Sequence, residues 1–325
     1  MSNPLVDIII VNWNSGAQLA RCLRHVDFAR NDGYEIDRIV VIDNASSDCS
    51  ASDLTNNNYH LTVWRNAENL GFAAACNQGA LGTRADYLAF LNPDVYLCQD
   101  SLRLLVAFLN DPRNCKIGIC GPKLVDAAGR TQRTCARFPR AGDFFINSLG
   151  LNRAFPVAFR SCAMTEWPHE DSRAVDQVIG ACFLIRSSVF RQLKGFDERF
   201  FVYFEEVDLC LRCKQVGYDV YFLNEAKATH TGGGCSRQIP ATRLFYSLRS
   251  RLQYARKHFS PISTAILCFG TLFLEPVSRT VLTLVHGSLK ELRSTWEAYQ
   301  LLYRFIAGVL ADRTSELRFG LSRNQ

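Results

Sequence analysis

The chain reads as an α/β protein with a mostly parallel central sheet flanked by helices, followed by a helical C-terminal extension. Three observations predict this. Short β-branched runs alternate with stretches of helical spacing over about the first 125 residues, the pattern of strand–helix units joined by right-handed crossovers. Clusters rich in Asn, Asp and Ser follow the apolar runs, and parallel sheets bind ligands at the carboxyl ends of their strands. From Thr242 onward the sequence becomes basic and amphipathic.

Val6–Val11 and Arg38–Ile42 are continuous apolar runs of the kind buried on both faces of a parallel sheet, with Leu61–Trp64, Tyr87–Leu91 and Ile117–Cys120 as further strands. Between them Gly16–Val26, Gly71–Gly82 and Asp100–Leu109 have helical spacing. Residues 126–175 lose this regularity and carry Arg133, Arg137, Phe138, Pro139 and Arg140, which predicts a long mobile loop region rather than a second domain. Order returns at Val178–Arg186, a buried strand, then a helix over Ser188–Leu193, an acidic helix over about 205–216, a short strand at Tyr218–Leu223 and a Gly-rich turn at Thr231–Gly234. These elements define a domain over 1–240 and an extension over 241–325.

In the extension, Arg243–His258 forms a basic amphipathic helix. The apolar run Ile262–Leu274 then covers about 13 residues before Glu275 and Pro276, short of the roughly 20 needed to span a bilayer. The expectation is peripheral membrane contact, with helices lying on an anionic surface; a core-helix hairpin is the alternative.

Lys and Arg number 37 against 31 Asp and Glu, a net charge of +6. With the basic residues scattered before the C-terminal third and no zinc-finger or RNA-binding aromatic signature, no nucleic-acid partner is expected. The 13 cysteines are irregularly spaced, many in apolar runs (Cys76, Cys120, Cys182, Cys268), which predicts free thiols in a reducing cytosol. Cys210 and Cys213 have CxxC spacing but fall inside a helix without a second pair, so packing outweighs a zinc or redox reading. Met-Ser-Asn-Pro leads directly into a strand, so no signal peptide is expected.

Chemistry concentrates in two places. Phe200-Phe201-Val202-Tyr203-Phe204 runs into Glu205, Glu206 and Asp208; acids packed beside aromatics have raised pKa values suited to proton abstraction near neutral pH. The competing reading is a helix first turn whose acids complement the macrodipole. Asp208 and Arg212 are spaced for an ion pair along the helix. The second place is the set of polar clusters after strands: Asn12-Trp13-Asn14, Asp43-Asn44-Ala45-Ser46, Asn69-Leu70-Gly71 with Asn77, and Asn92-Pro93-Asp94. Singly these are turn and cap chemistry. Together at one sheet edge they read as a nucleotide site, with an Asp for base or ribose and Gly71 letting helix backbone approach a phosphate. GxxxxGK[ST] and GxGxxG are both absent, so a kinase-like NTPase or an NAD enzyme is not supported.

The ordered blocks Ile-Val-Asn-Trp-Asn, Val-Ile-Asp-Asn-Ala-Ser-Ser-Asp, Asn-Leu-Gly-Phe-Ala-Ala-Ala-Cys-Asn, Leu-Asn-Pro-Asp, Gly-Ala-Cys-Phe-Leu-Ile-Arg, Gly-Phe-Asp-Glu-Arg-Phe-Phe and Phe-Glu-Glu-Val-Asp-Leu-Cys-Leu-Arg resemble the family 2 glycosyltransferases of GT-A (Rossmann-like) fold, in their rhamnosyltransferase-like branch. The resemblance implies that Asp94 holds Mg²⁺ or Mn²⁺ against a donor diphosphate, with His230 as second ligand. Asn92 departs from the Asp-x-Asp form and becomes a ribose or water contact. Gly180 and Ala181 join Asn12, Asn14, Asp43, Asn44, Ser46, Asn69, Gly71 and Asn77 as nucleotide-sugar residues. Glu206 takes the place of the general base, one methylene longer than the family's Asp, and Glu205 positions the acceptor. The implied reaction is inverting transfer of L-rhamnose from dTDP-rhamnose to a lipid-linked or polysaccharide acceptor, in O-antigen or cell-wall synthesis at the cytoplasmic face of a bacterial membrane. UDP-N-acetylglucosamine or UDP-galactofuranose are the rival donors, and a binding protein without turnover is the rival class.

Overall fold

The computed structural model describes residues 3–29, 32–52, 54, 60–149, 151, 162–164, 166–232 and 239–321. Leu5–Asn12 (β1) is buried over seven of its eight residues, with neighbours on both sides: Glu35–Asp43 (β2) and Tyr87–Leu91 (β4), both parallel to it. His60–Arg65 (β3) extends the sheet beyond β2, also parallel. The intervening helices Gln18–Phe28 (α1) and Phe72–Ala80 (α2) supply the crossovers, and Ser101–Asn110 (α3) follows Val95–Leu97 (β5). Apolar burial on both faces holds this half together: Ile8, Ile10, Ile39 and Val41 face one core, Ile9, Val40 and Ile42 the other. Each such side chain contributes about 1.5–3 kcal/mol.

Beyond β4 the sheet becomes mixed. Ile117–Val125 (β6), Arg173–Val175 (β7), Cys182–Arg186 (β8) and Asp219–His230 (β9) complete it, in the order β3-β2-β1-β4-β8-β6-β9-β5 with β7 on β9. β8 runs antiparallel between β4 and β6, whereas β6 and β9 are parallel. Only three residues separate β4 from β5, too few for a crossover to a parallel neighbour, and β5 instead pairs antiparallel with the C-terminal end of β9. The expected strand at Tyr218–Leu223 is the first part of the longer β9, and the Val178–Arg186 run becomes strand only from Cys182.

Two compact units divide the chain, one of 1–139 and 160–235, the other of 140–159 and 236–325. The segment read as one long loop therefore holds ordered pieces: β7 and Ala141–Ser148 (α4), the latter in the second unit. Elements of three and eight residues are too short to show a period. Ser187–Gln192 (α5) and Glu205–Gln215 (α6) finish the first unit.

The second unit also contains Pro240–His258 (α7), Pro261–Phe269 (α8), Glu275–Val285 (α9) and Leu289–Leu321 (α10). Glu275 and Pro276 do not end the apolar run. A π-helical turn at Gly270–Leu274 joins α8 to α9, and Pro276 falls in the first turn of α9, where a missing N–H costs little. Glu275 is buried but paired with Arg251 and, at 2.8 Å, with Arg279. The helix over Pro261–Val285 is thus 25 residues, long and apolar enough to cross a membrane by length and composition, which corrects the shorter length read from the sequence.

Candidate active site

The ends of β1 and β2 are knitted into one polar loop pair. Asn12 is fully buried; its Nδ2 donates to Asp43 Oδ1 at 2.8 Å, Ser50 Oγ at 2.8 Å and Ser46 Oγ at 3.1 Å, and its Oδ1 accepts from Ser15. Ser46 Oγ donates to Asp43 Oδ1 at 2.5 Å and accepts from the Asn14 N–H at 2.9 Å, while Asn14 Oδ1 accepts from the Ser47 N–H at 2.7 Å. Asn14, Ala45 and Cys49 have positive φ, a conformation that costs L-residues energy and clusters at binding loops. Asn12, Asn14, Asp43 and Ser46 are therefore brought together.

At the other end of the sheet edge, pairing of β5 with β9 sets Val95 opposite His230. The backbone of Thr231 donates to the Asp94 carbonyl at 3.1 Å, and Asp94 Oδ2 lies 3.5 Å from His230 Nε2, both side chains nearly buried. Among the described residues no group of three His, Cys, Asp or Glu could hold a metal. One carboxylate and one imidazole nevertheless fit a divalent ion whose remaining ligands are phosphate oxygens and water. The sequence reading missed Gln132, whose side chain bonds His230 twice, Nε2 to the His230 carbonyl at 2.7 Å and Oε1 to Nδ1 at 3.0 Å. Its one sequence signal is the turn Asp126-Ala127-Ala128-Gly129-Arg130 just before it. Gly233 and Gly234 of the Gly-rich turn lie outside the described residues.

The acid pair opens α6. Tyr203 and Phe204 are consecutive left-handed residues, φ 68° and 70°, a strained approach that leads into Glu205, which is buried, and Glu206, which is half-buried. Burial pushes Glu205 well above the usual carboxylate range, with the Glu206 charge adding to it. Burial also raises Glu206, but backbone amides of Glu206, Val207, Phe204 and Gly180 draw it back. The Oε2 atom of each is buried with no hydrogen-bond partner. A Cβ on Gly180 would sit 3.3 Å from Glu206 Cβ, so the glycine admits the acid's close approach. Ala181, next to it, accepts from the Asn92 N–H at 2.8 Å, which ties the end of β4 to the acid pair. The carboxylates also stand in the helix first turn, so the macrodipole favours them as well.

Asp208 and Arg212 form the expected ion pair at 2.7 Å, and Arg212 also donates to the Leu193 and Gly195 carbonyls. Asp208 is fully buried, and removing one partner of such a pair costs about 3–5 kcal/mol. Cys210 and Cys213 are buried free thiols, Cys213 pushed up to about 12 by burial.

Four of the expected ligand residues also make structural contacts. At Gly71 the start of α2 packs on the aromatic segment: the Phe72 N–H donates to the Phe201 carbonyl, and a Cβ at Gly71 would lie 2.4 Å from that oxygen. Asn69 Oδ1 accepts from the Gly71 N–H at 2.9 Å. Asn44 donates to the Gly71 carbonyl at 3.0 Å and accepts from Asn66. Asn77 holds both backbone groups of Phe196, at 2.8 and 2.9 Å, and so steadies the segment leading to the acids.

A mixed α/β sheet with a polar edge at the carboxyl ends of its strands is the form of a nucleotide-binding fold. The model of glycosyl transferase family 2 matches residues 7–193, and the chain belongs to that family; the acid pair and His230 lie beyond the matched stretch. It is an enzyme of the hexosyltransferase class. Rhamnosyltransferase WbbL of Escherichia coli K12 is 28% identical over 53% of this chain, and the match spans 62% of WbbL, just under two thirds of its length. The N-acetylglucosaminyl-diphospho-decaprenol L-rhamnosyltransferase of Mycobacterium tuberculosis is 26% identical over 74% of this chain and 80% of its own. Among solved structures, the mannosyltransferase PcManGT from Pyrobaculum calidifontis, in complex with GDP-Man and Mn²⁺, superposes with a TM-score of 0.54 at 16% identity, over 97% of this chain and 80% of that one. The likeness establishes the GT-A fold.

Proposed function

We propose that the chain is an inverting, divalent-metal-dependent rhamnosyltransferase that moves L-rhamnose from dTDP-L-rhamnose to a lipid-linked or polysaccharide acceptor in bacterial surface-glycan synthesis. The observation that carries the reaction is the adjacent pair of buried Glu205 and half-buried Glu206, each with a buried, unpartnered Oε2. The names of the two rhamnosyltransferase relatives support the sugar, and the decaprenol in one of them supports a lipid-linked acceptor.

In this reading Glu206 accepts the proton of the acceptor hydroxyl as its oxygen attacks the anomeric carbon from the face opposite the diphosphate. The new C–O bond forms as the bond to phosphate breaks, and the electron pair leaves with dTDP. Glu205, whose burial favours its protonated form, orients the acceptor. Asn12, Asp43 and Ser46 hold the nucleoside. Asp94 and His230 would hold Mg²⁺ or Mn²⁺, which supplies neutralising charge for the leaving diphosphate. The second unit lies against the cytoplasmic face of the membrane, where the acceptor lipid is anchored.

The test is release of nucleoside diphosphate from dTDP-rhamnose, UDP-N-acetylglucosamine and UDP-galactofuranose, each with polyprenyl-diphosphate-N-acetylglucosamine as acceptor. Turnover with dTDP-rhamnose alone is expected. Turnover with a UDP-sugar alone overturns the donor, and nucleotide affinity unchanged by metal overturns the Asp94 assignment.

A further inference from the structure

Gln132 reaches His230 through a tight reversal of the chain. After β6, Asp126 Oδ1 accepts from the Ala128 and Arg130 N–H groups at 2.9 Å, Gly129 adopts φ +78°, and Val125 bridges to Thr131. The Gln132 N–H then donates to the Leu124 carbonyl at 2.8 Å, which seats the residue beside the end of β9.

Its two side-chain bonds constrain each other. A backbone carbonyl only accepts, so the atom 2.7 Å from the His230 oxygen must be the amide nitrogen of Gln132. The amide oxygen therefore faces Nδ1 at 3.0 Å. Because that oxygen can only accept, Nδ1 carries the proton. In the neutral ring Nε2 is then the lone-pair nitrogen, and it faces the Asp94 carboxylate 3.5 Å away. A bare Nε2 lone pair and a carboxylate oxygen at this distance, both nearly buried, repel each other unless a divalent cation or a proton is shared between them.

We infer that Gln132 is a positioning residue that fixes the Nδ1–H tautomer and the ring orientation of His230, so that Nε2 is presented with Asp94 to a divalent cation. The inference rests on the metal reading above and adds to it the residue that prepares the ligand. Partners of this kind beyond the ligand shell typically change metal affinity by about 10–100-fold.

Two measurements on the full chain test it. In metal-free protein with ¹⁵N-labelled histidine, long-range ¹H–¹⁵N correlation at a pH where imidazoles are neutral reads the tautomer, with His230 assigned by the signal lost in His230→Gln. Wild type is expected to show Nδ1–H, and Gln132→Leu to lose that preference. Mn²⁺ titration with dTDP present is expected to weaken about 10–100-fold in Gln132→Leu. Gln132→Glu, which keeps an acceptor opposite Nδ1 but no donor to the carbonyl, should stay within a few-fold of wild type. In a His230→Gln background both substitutions serve as controls for charge, and Gln132→Leu should add nothing further. An Nε2–H tautomer in wild type overturns the inference. So does equal loss in the Leu and Glu variants, which would make Gln132 a backbone pin only. A wild type with the Nδ1–H tautomer that binds no Mn²⁺ overturns the metal site, and the positioning role with it.

Discussion

Gly71 stands so close to the Phe201 carbonyl that an added Cβ would lie 2.4 Å from the oxygen. The helix α2 and the aromatic segment before the acid pair are thereby locked backbone to backbone. Gly71 also has φ +87°, where a side chain is strained. Gly71→Ala should lose stability by about 1–3 kcal/mol from strain alone, with further loss from the clash, and turnover should fall as Glu205 and Glu206 shift. Denaturant melts beside initial rates check this; a variant as stable and active as wild type refutes the lock.

Glu206→Gln keeps shape and hydrogen bonding but cannot take a proton, and loss of general-base assistance typically costs about 10²–10⁴ in rate. Donor binding should survive. Glu205→Gln should chiefly raise KM for the acceptor. Steady-state kinetics on both variants decide the order: a dead Glu205→Gln beside a near-normal Glu206→Gln would reverse the two roles, and two active variants would move the base to Asp208.

Both carboxyls titrate above the ordinary range because they are buried. Between the unfolded and folded pKa the native state binds more protons than the unfolded state, so stability falls as pH rises through that window. The double variant Glu205→Gln/Glu206→Gln should show a flatter stability–pH curve and gain on wild type at the alkaline end. Activity should run the other way, its acid limb rising as Glu206 ionises at a pH above that of an exposed glutamate. Thermal melts and kcat/KM from pH 5 to 9 measure both slopes.

Along Pro261–Val285, Ile262, Ile266, Phe269, Phe273, Val277 and Val281 are all exposed at helical spacing, and most of this apolar helix is left unburied. If this stripe meets lipid, Phe269→Ser/Phe273→Ser should move the protein off anionic vesicles in a flotation assay and leave dTDP binding unchanged. Truncation at about residue 260 is the poorer test, because α10 packs on α7 within the same unit. Retention of the double variant on vesicles would count against the lipid reading.

Much of the first unit was legible because its signals are local. β-branched runs mark β1, β2 and β4, Asx clusters mark their ends, and the acids of α6 follow an unmistakable aromatic run. The spacing of Asp208 and Arg212 likewise gave their ion pair directly. Residues that act through distant partners left no comparable mark. Gly71 reads in the sequence as a helix-start glycine, and its close approach to Phe201 is visible only in the fold. Gln132 is a single polar residue after a turn, and only the return of the chain alongside β9 gives it His230.

The sequence by itself determined the α/β class, the strand–helix alternation of the first half and the identity of the chemical groups at the sheet edge. These follow from hydrophobic period and turn chemistry, which act over a few residues. Tertiary structure alone decided that β8 runs antiparallel between β4 and β6, that β5 leaves β4 to pair with β9 and so carries Asp94 to His230, and that α4 belongs with the C-terminal helices. It also decided that the apolar helix continues through Pro276, since a π-helical turn accommodates the proline and two arginines neutralise Glu275. Strand order and helix continuity depend on which distant surfaces bury one another, and a chain read in short windows carries no record of that choice.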